Sequence, residues 1–126
     1  MSSAIRITEA EWEVMEVVWA QPPVAATAIV DVLERKRQWS LGTVRSLLRR
    51  LVNKRALQQQ IEGKRYLYTP RVSRNECVLR ESESFLDRVL GRAPSVSLVH
   101  LVKNADLSRK DIQELRRILR EKEEQS

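Results

Sequence analysis

Along most of the chain, apolar residues recur three or four positions apart, the spacing of a helix with one buried stripe; between residues 57 and 69 this gives way to short runs of strand formers. Trp12, Met15, Val18 and Trp19 mark a first helix. It begins near residue 9, because Thr8 and Glu11 are spaced as a capping box, and Pro22-Pro23 cannot continue it. A second helix from about Ala25 to Arg37 carries Ile29, Val32 and Leu33 on one side. Ala25 offers no side-chain acceptor to the first turn, so the start of this helix is expected to fray. Ser40 is a good N-cap for a third helix reaching about Arg55, and Trp39 is placed to staple onto Val44.

On a wheel of about 100° per residue, the third helix sorts into two arcs. One holds Val44, Leu47, Leu48, Leu51 and Val52, while the other holds Gly42, Thr43, Ser46, Arg49, Arg50 and Asn53, with Arg45 at its edge. Leu57 to Ile61 and Tyr66 to Thr69 then read as two strands joined around Glu62-Gly63-Lys64-Arg65, where Gly63 supplies the positive φ of a tight hairpin. After Val72 the chain turns helical again. A helix over about 74 to 90 is closed by Gly91, a short apolar one spans Pro94 to Val102, and a last one opens on the capping pair Ser108 and Asp111. The predicted fold is mainly α with a small β-wing: a winged helix-turn-helix domain over residues 1–71, then a helical dimerisation domain over 72–126.

Charge turns this layout into a functional reading. The chain of 126 residues carries a formal charge of +6, and the stretch from Arg35 to Arg65 holds ten Lys or Arg against one acid, Glu62. An ordinary solvated helix mixes signs, whereas the polar arc of the third helix has small hydroxyl residues first and only cations beyond. Small side chains let a helix enter the major groove, Arg bonds guanine through two acceptors, and Thr methyls meet thymine methyls. Gly42, Thr43, Arg45 and Ser46 are therefore the expected base readers. Ser40, Arg49, Arg50, Lys54, Arg55, Lys64 and Arg65 are the expected phosphate contacts, the last two from the wing. The expected partner is a double-stranded DNA operator; a protein-binding adaptor that holds an acidic partner is the alternative that composition alone leaves open.

Other chemistries find little support. Cys77 and His100 each occur once, and both are expected to pack in a core rather than to act as nucleophile and base. A single cysteine gives no internal disulfide and no thiolate pair for a metal, so no cofactor, no metal site and no enzyme activity are expected. No apolar run approaches the roughly 18 residues of a membrane span, which points to a cytoplasmic protein without membrane insertion. Three short helices cannot easily enclose a core, so Phe85, Leu86, Val89, Leu98, Leu101, Ile112, Leu115 and Leu119 are expected to pack against a second copy in a homodimer.

The ordered set Ile7 to Met15, Val18-Trp19, Trp39-Ser40, Thr43-Val44, Leu48, Arg50-Leu51, Lys54, Ala56-Leu57, Glu62-Gly63 and Tyr66 to Pro70 closely resembles the penicillinase repressor family. Ser84 to Leu86 and Leu107 to Leu115 match more loosely. The resemblance implies a homodimeric transcriptional repressor on a palindromic operator with half-sites like TACA and TGTA. Thr43 and Ser46 fall on hydroxyl positions that members use at the bases, while Gly42 and Arg45 stand where members often carry Lys and Gln. An Arg in place of an amide shifts preference from adenine towards guanine. Lys54-Arg55 replaces the usual Lys-Gly, losing a glycine that would close the helix without steric cost. Antibiotic-responsive members are released when a membrane sensor protease cuts an Asn-Phe bond, but the matching place here is His100-Leu101, so the sequence does not support that cleavage motif; the paired Cys-x-Cys motifs of copper-responsive members have no counterpart.

Overall fold

The computed structural model describes residues 5–89 and 94–126. In chain order the elements are α1 (Glu9–Ala20), β1 (Val24–Ala25), α2 (Ala26–Arg37), α3 (Leu41–Asn53), β2 (Leu57–Glu62), β3 (Arg65–Pro70), α4 (Arg74–Val89), α5 (Pro94–Asn104) and α6 (Arg109–Gln125). They divide into two compact units, Met1–Glu81 and Ser82–Ser126.

In the first unit α1, α2 and α3 pack over an antiparallel sheet of order β1-β3-β2. The expected capping box is formed: the Thr8 hydroxyl accepts from the Glu11 amide at 3.1 Å, and the Glu11 carboxylate accepts from the Thr8 amide at 2.9 Å. Val14, Met15 and Val18 then enter the core beside Ile29 and Leu33 of α2. Trp12 and Trp19 are half-buried and meet edge to face, with centroids 5.4 Å apart. The apolar arc of α3 behaves as its spacing predicts: Val44, Leu47, Leu48 and Leu51 are buried and Val52 is half-buried.

The expected fraying of α2 is corrected. Ala25 indeed gives no side-chain cap, but Val24 and Ala25 pair with Tyr68 and Leu67, so the sheet holds the start of the helix. This third strand is too short to leave a period in the sequence. In the wing, β2 pairs with β3 from Leu57↔Pro70 to Glu62↔Arg65. Gly63 has φ +65° and Lys64 a negative φ, the pattern of a two-residue turn with glycine first.

The division between units falls at residues 81 and 82, later than the 71/72 boundary read from composition. Val72 and Cys77 belong to the first core. The Trp19 indole donates to the Val72 carbonyl at 2.9 Å, and Arg74 grips Glu16 of α1 with two bonds of 2.8 and 3.1 Å. Ser73 caps the helix so fastened, accepting from the Glu76 amide at 3.0 Å. In the second unit, the Ser108 and Asp111 capping box of α6 is formed as expected. Gly91, expected to end α4, lies outside the described residues.

The end of α3 shows what replaces the missing glycine. The Ala56 amide bonds the Leu51 carbonyl at 2.9 Å and the Arg55 amide bonds that of Val52 at 3.0 Å, which is the Schellman closure. That closure needs a left-handed residue, and Arg55 supplies it at φ +68°. A side chain there costs about 1 kcal/mol. Arg55→Gly is therefore expected to raise the unfolding free energy by about 1 kcal/mol, while Arg55→Ala stays within about 0.5 kcal/mol of the parent. Urea unfolding checks this; equal stability of the Gly and Ala variants would show that the strain is absent.

Candidate nucleic-acid interface

The site is the arc of α3 that packing leaves outside, together with the wing. Ser40 fixes where the helix starts: its hydroxyl accepts from the Thr43 amide at 3.2 Å and lies 3.1 Å from the Thr43 hydroxyl. Its oxygen is thus already engaged as a cap. Gly42, Thr43, Arg45, Ser46 and Arg49 all lie on the exposed side. Gly42 is not demanded by the fold, since an added Cβ would meet only the Ser40 hydroxyl, at an ordinary 3.8 Å. Its effect is to keep this end of the helix low.

Beside that arc runs an open groove of about 670 Å³ between α2, α3 and the sheet, edged by Asp31, Arg45, Arg49, Asn53, Tyr66 and Tyr68. Leu41 and Tyr66 are about half exposed on it, at 48% and 47%. Arg45 and Arg49 of α3, Asp31 of α2 and Tyr66 and Tyr68 of β3 all line it. Lys64 occupies the hairpin turn and Arg65 the first position of β3, both exposed.

Among the ten cations between Arg35 and Arg65, acids of α1 divide the set. Arg37 and Lys36 pair with Glu13. Arg50 and Lys54 pair with Glu11, through bonds of 3.1 Å to Oε2 and 2.5 Å to Oε1. Lys54 also donates to the Arg6 carbonyl at 2.8 Å. Arg45, Arg49, Arg55, Lys64 and Arg65 have no acid partner among the described residues, and Arg35 bonds only a backbone carbonyl, that of Asp31. The free cations are therefore those of the α3 arc, its C-terminal closure and the wing.

Glu11 was legible as a cap but not as an ion partner. Its side chain is fully buried, and it receives three hydrogen bonds. The available signal was position: Glu11, Val14, Met15 and Val18 share one face, so an acid there must enter the core and find cations. Burial alone would push its carboxyl up, but hydrogen bonds from Lys54, the Thr8 amide and Arg50 outweigh it and hold the group below the ordinary carboxylate range.

The remaining candidates behave differently. Cys77 is buried, and desolvation, aided by Glu76 and opposed by Arg80, pushes its thiol up and away from thiolate chemistry. In the single chain His100 is not in a core but exposed, along with Leu98, Val99, Leu101 and Val102. Among the described residues no group of three or more His, Cys, Asp or Glu is placed to hold a metal, and no helix is long and apolar enough to cross a membrane.

Three helices, a two-stranded wing and a cation-bearing helix face define a winged-helix DNA-binding protein. Residues 7–121 match the family described as Penicillinase repressor. The penicillinase repressor of Bacillus licheniformis is 31% identical over 121 residues, 96% of this chain and 94% of that protein. The methicillin resistance regulatory protein MecI of Mammaliicoccus sciuri is 31% identical over 116 residues, 92% of this chain and 94% of that protein. The solution structure of monomeric Bacillus licheniformis BlaI with the blaP half-operator aligns with a TM-score of 0.52 at 32% identity, over 57% of this chain and 88% of that one. The chain belongs to the penicillinase repressor family. It is a DNA-binding transcriptional repressor and not an enzyme.

The lowered Glu11 carboxyl has a consequence for stability, and Glu13 and Glu16 share it through Arg37 and Arg74. Each binds protons less tightly folded than unfolded, so its contribution is present above the ordinary carboxylate range and is lost as pH falls through the folded value. Urea midpoints should drop as pH falls from about 5.5 through the ordinary carboxylate value of about 4.3 and on below it, and the drop should be shallower in Glu11→Gln. Identical drops in the two proteins would remove Glu11 from this account.

Proposed function

We propose that two chains form a homodimer that grips a palindromic operator in the bacterial cytoplasm, each α3 lying in the major groove of one half-site with its wing over the adjoining backbone. The observation that carries this is the exposed arc of α3, where hydroxyls and an unpaired arginine stand together without an acid. Gly42, Thr43, Arg45 and Ser46 take the base edges. Arg49, Arg55, Lys64 and Arg65 take phosphates, joined by Ser40 and Arg50 to the extent that their existing bonds allow; Lys54, with two of its three N–H groups spent within the first unit, is left out of this set. The BlaI relative bound a half-operator as a monomer, which fits one chain per half-site.

The dimer reading rests on the second unit. Phe85, Leu86, Leu98, Leu101, Ile112 and Leu119 are 38 to 59% exposed in the single chain, Leu115 is half-buried, and α6 has no buried residue. The side chain of Val89 lies outside the described residues. A membrane sensor protease is the partner through which release by cutting would act. His100 and Leu101 are exposed, but their peptide bond lies inside α5, where Asn104 Nδ2 also donates to the His100 carbonyl at 2.9 Å. Cutting there requires this turn to unwind first.

A palindromic duplex selected from a random pool, compared with its scrambled counterpart by fluorescence anisotropy, tests base reading. Arg45→Ala should cost about 1 to 3 kcal/mol and relax preference at one position, whereas Lys64→Ala should weaken all sequences alike and reduce the salt slope by about 0.9 for each phosphate no longer neutralised. Equal affinity for both duplexes would refute base reading.

Sedimentation tests the assembly. The parent chain should be dimeric, and Phe85→Glu or Ile112→Glu should yield monomers whose affinity for the full palindrome falls about 10² to 10⁴-fold, towards that of one half-site. A parent chain that sediments as a monomer at operator-binding concentration would overturn the dimer.

A further inference from the structure

We propose that Glu11 is a positioning residue for DNA binding: from α1 it holds Arg50 by Nε so that the guanidinium's terminal edge is presented to a phosphate, and it withdraws Lys54 from that task. The two cations are treated unequally by the same carboxylate. Oε2 accepts only the Arg50 Nε, at 3.1 Å, while Oε1 is shared between the Thr8 amide and the Lys54 ammonium. Arg50 keeps 51% of its side chain exposed, and its two terminal nitrogens have no partner among the described residues. Lys54 is 33% exposed and spends two of its three N–H groups, on Glu11 and on the Arg6 carbonyl.

A guanidinium bound at Nε still offers a flat pair of donors that matches a phosphate, whereas an ammonium is a point donor whose bonds, once used, leave little to offer. Glu11 can impose this because it cannot move: it is fully buried, and the capping box fixes both its carboxylate and its backbone. Arg50 on α3 and Lys54 at its C-cap lie one turn apart, so one acid reaches both and ties the rotation of α3 to α1. An arginine already held in place loses less freedom when a phosphate arrives.

The inference rests on the DNA-binding reading, whose failure looks different: the parent chain would then show no salt-dependent affinity for duplex. Salt titrations of operator binding by the full chain test it. Arg50→Met should lower affinity and reduce the slope of log affinity against log salt by about 0.9 per chain, and Lys54→Met should leave that slope unchanged. Arg50→Lys keeps the charge but not the flat edge, so it should lose affinity at a slope near the parent's. Glu11→Gln should weaken binding, and adding Arg50→Met to it should cost no more than Arg50→Met alone, because Glu11 acts through that arginine. A purely structural Glu11 would give additive losses, and this outcome overturns the proposal. So does a slope reduced by about 0.9 in Lys54→Met. If circular dichroism shows Glu11→Gln unfolded, the slopes of Lys54→Met and Arg50→Met decide the matter by themselves.

Discussion

The packing of one arc of α3 against α1 and α2 sets the terms for everything on the outer face. Val44, Leu47, Leu48 and Leu51 are all within 4% of complete burial. Four such residues at helical spacing leave the helix a single rotational setting, because turning it by one position would swap leucines for arginines in the core. Exposure of Thr43, Arg45, Ser46 and Arg49 is therefore not a separate feature but the other side of that burial. Ser40 and Arg55 close the two ends, the first with its hydroxyl and the second with its backbone, so the arc has a defined start and stop.

Charge is sorted by the same helix packing. A local excess of cations would repel itself in the folded state, and α1 relieves part of it by placing Glu11 and Glu13 against α3 and α2. The two acids differ in kind. Glu13 and its partners lie near solvent, where an ion pair is worth little and is screened by salt. Glu11 is buried and fully bonded, so removing a partner leaves a buried carboxylate short of one of its three bonds. The cations left without an acid among the described residues are those that α1 does not reach, and Arg50 keeps only its terminal edge free.

Much of this was legible in the sequence, for reasons that can be named. The third helix declared itself through its 3.6-residue stripe and Ser40, and the wing through Gly63 between two runs of strand formers. Capping pairs at Thr8 and Ser108 marked helix starts to the residue. What escaped was of two sorts. Val24 and Ala25 form a strand only because β3 is there to pair with, and a two-residue segment has no period of its own. Residues 72 to 81 looked like the start of a second unit because their composition changes there, yet Trp19 and Glu16, more than fifty positions earlier, bind them to the first. The Glu11 ion pairs belong to the same class: both cations were noticed, and the acid that joins them lies far back in the chain.

The two units also differ in how completely they satisfy themselves. The first encloses a continuous core drawn from three helices and a sheet. The second, of about 45 residues, falls near the size at which a single chain cannot bury enough apolar surface to stand alone. Its helix α6 shows the imbalance within one element. One side is laced by Arg117, which bonds Glu114 and, at 2.7 Å, Glu121, as a solvated face should be. On the other, Ile112 and Leu119 are 40 and 59% exposed. A helix made polar on one side and left apolar on the other has been shaped for two environments, and water accounts for only one of them. On the proposed dimer, a second copy would supply the other at no cost in new sequence and would set the two α3 helices in the two-fold relation that a palindrome requires.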